Sequence, residues 1–319
     1  MKTMLLKKRG EPLILTEVPK PNCGDDQIRI KVLTSGLNFA DTLLINGNYQ
    51  EKPELPFAPG MEICGIVDKL GSAVSSFNVG DRVVSYVGYG GLSEFICVDQ
   101  SQCIAIPDNI SNEKAACLMI AYGSTELALN YKAKLQPTEN LLVLGAGSGV
   151  GMAAIEIGKI LGATVIAVAR GQKKCRAAKL KGADIVIESE DNNIRDKLTL
   201  SMGADVIYDP IGGENFRPVL SLANPEARIL PIGFASGKAP LIPSNIIMVK
   251  NITVIGFNIA TYRHLKIHVL NDCFKRLINL CSKNLINPHI SHVFPLEKAN
   301  EALDLIRGRT SIGKVVIKL

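Results

Sequence analysis

The alternation of apolar and polar residues predicts strands through the first third of the chain. Ile28, Ile30 and Val32 alternate with Arg29 and Lys31, which is the pattern of a strand with one buried and one solvated face. Segments 78–84 and 93–98 have a similar pattern, and turn residues rich in Gly, Pro, Asn and Asp separate the segments. Residues 1–110 are therefore predicted to form a small antiparallel barrel.

The pattern changes near residue 111, where Ser111 and Glu113 suit the start of a helix. The apolar runs Leu141–Leu144 and Val165–Ala169 suit strands buried on both faces. Further short apolar strands are predicted at 183–187, 204–209, 227–233 and 252–257, with helical segments between the first of them. This alternation predicts a parallel sheet wrapped by helices.

The last part of the chain returns to mixed structure. Leu296, Ala299, Leu303 and Ile306 recur at helical spacing, Gly308 suits the end of that helix, and 313–319 is predicted to be a closing strand. We therefore predict a β-rich domain over 1–121 and 260–319, into which a nucleotide-binding domain over 122–259 is inserted.

Composition limits the classes of function. The 319 residues are 47% hydrophobic and 21% charged, which is typical of a globular protein long enough for two domains. A net charge of +6 with only 5% aromatic residues argues against a nucleic-acid partner. The eight cysteines lack Cys-x-x-Cys spacing, and no long apolar leader or membrane span is present, so a cytoplasmic protein with reduced thiols is predicted.

A glycine-rich segment follows the first buried strand and opens a helix. A strand before it and a helix after it favour a dinucleotide-binding loop over a purely structural turn, although Val150 breaks the strict G-x-G-x-x-G spacing. The predicted cofactor-binding residues of this loop are Gly145, Ala146, Gly147, Ser148, Gly149, Val150 and Gly151.

The end of the next strand indicates which dinucleotide binds. An NAD site usually has an acidic residue there, whereas this chain has Arg170 and, shortly after it, Lys174. A guanidinium can bind a 2′-phosphate that a carboxylate would repel, so NADPH is predicted. The alternative is that the lysines and arginines of 173–179 form an ordinary solvated helix face.

Several segments together resemble one family. Segments 35–41 (SGLNFAD), 59–67 (PGMEICGIV), 79–83 (VGDRV), 90–95 (GGLSEF), 121–129 (AYGSTELAL) and 313–319 (GKVVIKL) accompany the glycine loop in the order of the medium-chain dehydrogenase/reductase superfamily. Within it, the chain resembles the zinc-independent NADPH:quinone oxidoreductase branch that includes zeta-crystallin. The resemblance spans the whole chain. It implies an α/β protein with a GroES-like β-rich catalytic domain and an inserted Rossmann domain with a doubly wound parallel sheet.

The same resemblance bears on metal binding. Asn38 and Met61 stand where zinc-dependent members have a ligand Cys and a ligand His, and an amide and a thioether are poor Zn²⁺ ligands. No metal is therefore predicted. Glu62 is left without an ion, and we predict a buried pair with Arg82, with Cys64 as a small core residue.

The resemblance also implies site residues. Tyr49 would line the substrate cleft, and Asn38 would lie beside the nicotinamide; their hydroxyl and amide are candidate donors to the substrate carbonyl oxygen. Alternatively, Asn38 caps a turn and Tyr49 is a packed rim residue. The other cofactor contacts that the resemblance implies are Thr125, Gly233, Phe234 and Arg309.

The implied activity is hydride transfer from nicotinamide C4 of NADPH to a small-molecule quinone or enone. Two alternatives stay open: an enoyl-thioester or alkenal reductase, and an NADPH-binding protein with little turnover. Similar proteins form homodimers through the last strand of the nucleotide domain, for which 251–259 is the candidate here.

Overall fold

A computed structural model describes residues 1–189, 203–213 and 216–319. The chain divides into two compact units: unit 1 contains Met1–Gly123 and Ala260–Leu319, and unit 2 contains Ser124–Ile259. No helix in these residues is both long and apolar enough to cross a bilayer.

The strands are β1 (Lys2–Leu5), β2 (Ile14–Glu17), β3 (Gln27–Leu37), β4 (Glu62–Leu70), β5 (Arg82–Tyr86), β6 (Phe95–Asp99), β7 (Cys103–Ala105), β8 (Asn140–Val143), β9 (Thr164–Ala169), β10 (Ile185–Glu188), β11 (Ala204–Asp209), β12 (Ala223–Pro231), β13 (Thr253–Val254), β14 (Ile290–Pro295) and β15 (Lys314–Lys318). The α-helices are α1 (Phe39–Ile45), α2 (Asn112–Ala115), α3 (Gly123–Glu126), α4 (Gly149–Ile160), α5 (Gln172–Leu180), α6 (Phe216–Leu220), α7 (Ser244–Lys250), α8 (Ile259–Leu265), α9 (Ile267–Ser282) and α10 (Ala299–Arg307). Leu118–Tyr122 and Leu127–Lys132 are π-helical, and Gln100–Gln102 and Leu296–Lys298 are 3₁₀ turns.

Unit 1 is built on a seven-stranded sheet in the order β14-β15-β3-β4-β5-β7, with β6 also paired to β3. All its pairs are antiparallel except β14 with β15. Ile28, Ile30 and Val32 of β3 are buried, as their alternation predicted, and pack with Ile63 and Val83. The GroES-like β-rich unit inferred from the sequence is confirmed.

Unit 2 is built on a six-stranded parallel sheet in the order β10-β9-β8-β11-β12-β13. Its apolar residues pack into a core that contains Leu142, Ile166, Ile207, Phe216 and Ile229. The predicted Rossmann-type parallel sheet is confirmed. Because the strands are parallel, β8, β11 and β12 end at the same edge, and the segments that follow them meet there.

Candidate functional site

The carboxylate of Glu62 lies in a buried charge cluster at the end of the unit 1 sheet. Glu62 begins β4 and Lys314 begins β15, and both strands flank β3. Glu62 Oε1 is 2.7 Å from Lys314 Nζ, and the two side chains are 0% and 4% exposed. Glu62 Oε2 accepts a hydrogen bond of 2.9 Å from the backbone N–H of Ile120. We call Glu62, Lys314, Asn38 and the Ile120 N–H the Lys314 cluster.

Asn38 completes the Lys314 cluster. Lys314 Nζ donates to Asn38 Oδ1 at 2.6 Å and to the Leu37 carbonyl at 2.8 Å. Asn38 Nδ2 donates to Glu62 Oε1 at 2.9 Å and to the Gly36 carbonyl at 3.2 Å. The ammonium of Lys314 therefore has three oxygen acceptors, and both amide hydrogens of Asn38 are already in use.

A side chain at position 36 would destroy this arrangement. A Cβ on Gly36 would lie 2.1 Å from the Ala116 carbonyl oxygen and 2.9 Å from Glu62 Oε1. Glycine there lets the backbone of β3 approach both groups.

The predicted pairing of Glu62 with Arg82 is wrong. The guanidinium of Arg82 instead donates to the carbonyls of Pro107 and Ile110 and to Asn112 Oδ1. Both arginine and lysine could have satisfied Glu62, and the strand order decides between them: β15 brings Lys314 beside β3, 252 residues after Glu62.

Met61 and Cys64 lie on either side of Glu62 in the chain, and both are buried. Met61 is 1% exposed and Cys64 is fully buried, so Cys64 is a core residue as predicted. Burial raises the pKa of the Cys64 thiol to about 12. Among the described residues, no group of three or more His, Cys, Asp or Glu side chains could hold a metal ion.

Asp41 is a second buried carboxyl group close to this cluster. Its two oxygens accept the backbone N–H groups of Asn38 at 2.8 Å and Gly60 at 3.0 Å. These bonds fix the start of α1 and the turn before β4. Burial is the main cause that raises the pKa of Asp41 to about 6, against the two hydrogen bonds and the charge of Lys314.

Tyr49 lies in a second cluster of unit 1, which contains residues that the sequence did not reveal. Tyr86 at the end of β5 neighbours its hydroxyl, and the guanidinium of Arg263 lies 5.1 Å from the Tyr86 ring centroid. Arg263 Nη1 is 3.2 Å from Glu51 Oε1. Burial is the main cause that raises the pKa of both tyrosines, so both keep their protons at neutral pH. No sequence motif marks Tyr86 or Arg263, because they come together only in the fold.

In unit 2, the glycine segment forms a tight turn from β8 into α4. Gly145 has φ +60°, a conformation that favours glycine. Ser148 is the N-cap: its Oγ accepts from Gly151 N at 3.1 Å and donates to the Gly145 carbonyl at 2.8 Å. A Cβ on Gly151 would lie 2.3 Å from the Gly145 carbonyl oxygen, so the loop and the first helical turn are in close contact.

This turn has the features that a dinucleotide pyrophosphate requires. Gly149 and Gly151 lie in the first turn of the 12-residue helix α4. The N–H groups of this turn and the helix dipole favour an anion at the helix N-terminus. Thr125 is fully buried, and its hydroxyl is 2.9 Å from that of Tyr208 and 3.4 Å from the Val150 carbonyl.

The remaining predicted cofactor residues of unit 2 follow the ends of its strands, except Lys174, which lies in the first turn of α5. Arg170 follows β9 directly and is exposed, and the aliphatic part of Lys174 packs against Gly147. Gly233 N approaches the Asp209 carbonyl at 3.4 Å, which places the Gly233–Phe234 turn beside the end of β11. The glycine segment, this turn and Arg170 therefore share one edge of the sheet.

Asp209 was missed by the sequence reasoning. Its Oδ1 accepts the N–H groups of Ile211 and Gly212 at 2.8 and 2.9 Å, which shapes the turn that packs against Gly145. Arg309 belongs to unit 1, where it is exposed and follows α10 with φ +55°.

Comparison with known proteins identifies the class. Residues 24–108 match the alcohol dehydrogenase GroES-like domain family, and residues 149–281 match the zinc-binding dehydrogenase family. Quinone oxidoreductase-like protein 2 of Rattus norvegicus is 37% identical over 313 residues, which are 97% of this chain and 89% of that protein. Quinone oxidoreductase of Mus musculus is 29% identical over 329 residues, which are 100% of this chain and 98% of that protein.

Solved structures agree with these matches. The Escherichia coli quinone oxidoreductase complexed with NADPH has a TM-score of 0.92 at 26% identity, with 100% of both chains covered. The Thermus thermophilus quinone oxidoreductase has a TM-score of 0.89 at 28% identity, again with 100% of both chains covered. These matches define a medium-chain dehydrogenase/reductase. The chain belongs to the quinone oxidoreductase family of that superfamily, which confirms the resemblance found in the sequence.

Proposed function

We propose that the protein is an NADPH-dependent reductase of quinones or related α,β-unsaturated carbonyls that works without a metal. Support comes from its family, from the dinucleotide-type turn of unit 2 and from the Lys314 cluster of unit 1. We propose that unit 1 is a substrate domain and that unit 2 is a coenzyme domain; the sequence predicted their boundaries at residues 121 and 259, and the two compact units divide after Gly123 and Ile259.

The single observation that carries the proposal is the Lys314 cluster. Asn38, Met61 and Glu62 stand where the zinc-dependent members have their site, and here Lys314 supplies the positive charge that Glu62 needs. Glu62 Oε1 and Asn38 Oδ1 both accept hydrogen bonds from the Lys314 ammonium, so this ammonium neutralises Glu62 in place of a metal ion. Polarisation by a metal is required for an alcohol or aldehyde, whereas a quinone is already electrophilic.

The glycine segment, Arg170, Lys174 and the Gly233–Phe234 turn would hold the coenzyme, because the side-chain-free backbone and the cationic groups fit its phosphates. NADPH supplies the hydride when bound. The protein's own residues would orient the acceptor and donate a hydrogen bond to its carbonyl oxygen.

Tyr49 is the donor that we propose. Its pKa is raised, so its proton is in place at neutral pH, and it is partly exposed whereas Tyr86 is buried. Asn38 has spent both amide hydrogens on Glu62 and Gly36. We therefore propose that Asn38 shapes the pocket through its fixed amide rather than by donating to the substrate.

NADPH oxidation should be measured with an ortho-quinone, a short enal and a crotonyl thioester in parallel, with metal analysis of the same sample. We expect turnover with the quinone and no stoichiometric zinc. Preference for the enal or thioester would identify the alkenal or enoyl-thioester reductase alternative. Tight NADPH binding without turnover on any acceptor would refute the enzyme assignment.

The coenzyme preference is tested by Arg170→Ala. Loss of a charge-assisted contact to the 2′-phosphate should raise the KM for NADPH by roughly 10- to 100-fold and leave that for NADH unchanged. Lys173→Ala, on the exposed face of α5, is the matched control. A wild-type preference for NADH would contradict the proposal.

We also propose a cytoplasmic homodimer. The eight cysteines are reduced thiols, which suits a reducing compartment. β13 is the edge strand of the unit 2 sheet, and its Val254 is 39% exposed. Met248 and Val249 of the preceding helix α7 are 72% and 75% exposed. An apolar edge of this kind is suited to pairing with a second copy.

A further inference from the structure

Two cysteines that the proposed function does not use lie together in unit 1. Cys97 is in β6, and Cys23 is in the segment that leads into β3. Their Sγ atoms are 3.8 Å apart, and the Cys97 thiol donates to the Cys23 sulfur. Both side chains are partly exposed, unlike the buried Cys64, Cys103 and Cys117.

The surroundings hold the two thiols in place. Cys97 pairs across the sheet with Arg29 of β3. Arg29 donates to the Pro21 carbonyl at 3.1 Å, so it ties the segment that carries Cys23 against the sheet. Gln27 Oε1 accepts from Gly24 N at 3.0 Å on the other side of Cys23. Cys23 lies outside any strand, so a small backbone shift can close the gap of about 1.8 Å to the ~2.05 Å of a disulfide.

We propose that Cys23 and Cys97 form a reversible intramolecular disulfide by exchange with low-molecular-weight disulfides such as oxidised glutathione. The Cys23 thiol loses its proton, and its sulfur attacks the glutathione disulfide, which forms a mixed disulfide and releases one glutathione thiolate. The Cys97 sulfur, after losing its proton, then attacks the Cys23 sulfur and releases the second glutathione. The protein loses two electrons and two protons, and glutathione disulfide gains both.

The order of the two steps follows from the position of Cys97 within β6 and from the environment of its thiol. Burial is the largest cause that raises the pKa of Cys97 to about 12, against the charges of Arg29 and Lys69. Cys97 is therefore mostly a thiol at neutral pH and is the weaker nucleophile toward glutathione disulfide in solution. It attacks in the second step, when the mixed disulfide on Cys23 lies beside it. The cross-link would join β6 to a segment 74 residues away along the chain.

The test uses the full-length reduced protein, incubated with excess oxidised glutathione at neutral pH. Remaining thiols are then alkylated, and the protein is analysed by intact mass and by peptide mapping without reduction. We expect the loss of two hydrogens, a Cys23–Cys97 cross-linked peptide and full reversal by dithiothreitol. The closed loop should raise Tm by roughly 5 °C.

Single variants assign the roles. Cys97→Ser should stop at the mixed disulfide of Cys23 with glutathione, and Cys23→Ser should form no cross-link. Cys175→Ser, which removes a partly exposed thiol of unit 2, should behave as wild type. A wild-type protein that keeps both thiols under these conditions, or a cross-link that maps to another pair, would overturn the proposal.

Discussion

The buried pair of Glu62 and Lys314 makes a single side chain important for unit 1. Replacing Lys314 with Met would leave Glu62 without its cation in a place from which water is excluded. We expect a loss of about 3–5 kcal/mol in the free energy of unfolding, measured by denaturant titration. Lys318→Ala is the matched control, because Lys318 is exposed on the same strand and should change stability by less than about 0.5 kcal/mol.

A double variant separates a lost charge pair from lost packing. Glu62→Gln combined with Lys314→Met removes both charges, so it should recover part of the stability that Lys314→Met loses. A double variant as unstable as the sum of the two single variants would show that the charges are not coupled.

Asp41 is expected to give unit 1 a pH dependence of its own. Its pKa is about 6 in the folded protein and 3.8 ordinarily, so the folded state holds the proton more tightly. The tighter proton binding stabilises the folded state fully below pH 3.8, and this stabilisation is lost as the pH rises through about 6. The difference between the two pKa values corresponds to about 3 kcal/mol of unfolding free energy. Wild type should therefore lose this amount relative to Asp41→Asn over that pH range.

Unfolding titrations of both proteins at several pH values measure that difference directly. A difference that grows in favour of wild type with rising pH would mean a depressed pKa and would contradict the expectation. Carboxyl chemical shifts of Asp41 in the folded protein provide an independent measurement.

At the scale of elements, the start of α4 depends on one hydroxyl. Ser148 caps the helix through a hydrogen bond that its hydroxyl accepts from Gly151 N. Ser148→Ala should reduce the free energy of unfolding of unit 2 by about 1 kcal/mol, whereas Ser148→Gly should cost only a few tenths. Thermal or denaturant unfolding followed by far-UV circular dichroism checks both; equal losses would argue against the cap.

Elements with local signals could be predicted from the sequence. The alternation in β3, the apolar runs of β8 and β9, and the glycine turn before α4 depend on neighbouring residues, and the structure has them where they were predicted. The C-cap of α10 at Gly308 was also predicted.

The contacts of the site were harder to predict because they join distant segments. Glu62 was assigned to Arg82, which lies on the neighbouring strand, whereas Lys314 comes from the other end of the chain. The grouping of Tyr49 with Tyr86 and Arg263 likewise depends on α8 packing in unit 1. Periodicity reveals which face of a strand is buried, but it does not reveal which strand is its neighbour.

At the scale of the whole molecule, the proposed dimer depends on β13. Val254→Lys would place a charge on the edge strand, and a two-fold axis would bring it close to its copy. We expect the dimer Kd to rise by roughly 10- to 100-fold in analytical ultracentrifugation. Leu285→Lys, which changes an exposed apolar residue of unit 1, should leave Kd unchanged. A wild-type protein that sediments as a monomer at every concentration would refute the dimer.

The position of β15 near the end of the chain also determines when the unit 1 sheet and the Lys314 cluster can form during synthesis. β15 lies between β14 and β3 in the sheet, and its Lys314 follows Glu62 by 252 residues. At a translation rate of about 5–20 residues per second, Glu62 waits roughly 10–50 s for its cation. All residues of unit 2 are synthesised during that time. All of unit 2 is therefore synthesised before the Lys314 cluster of unit 1 can form.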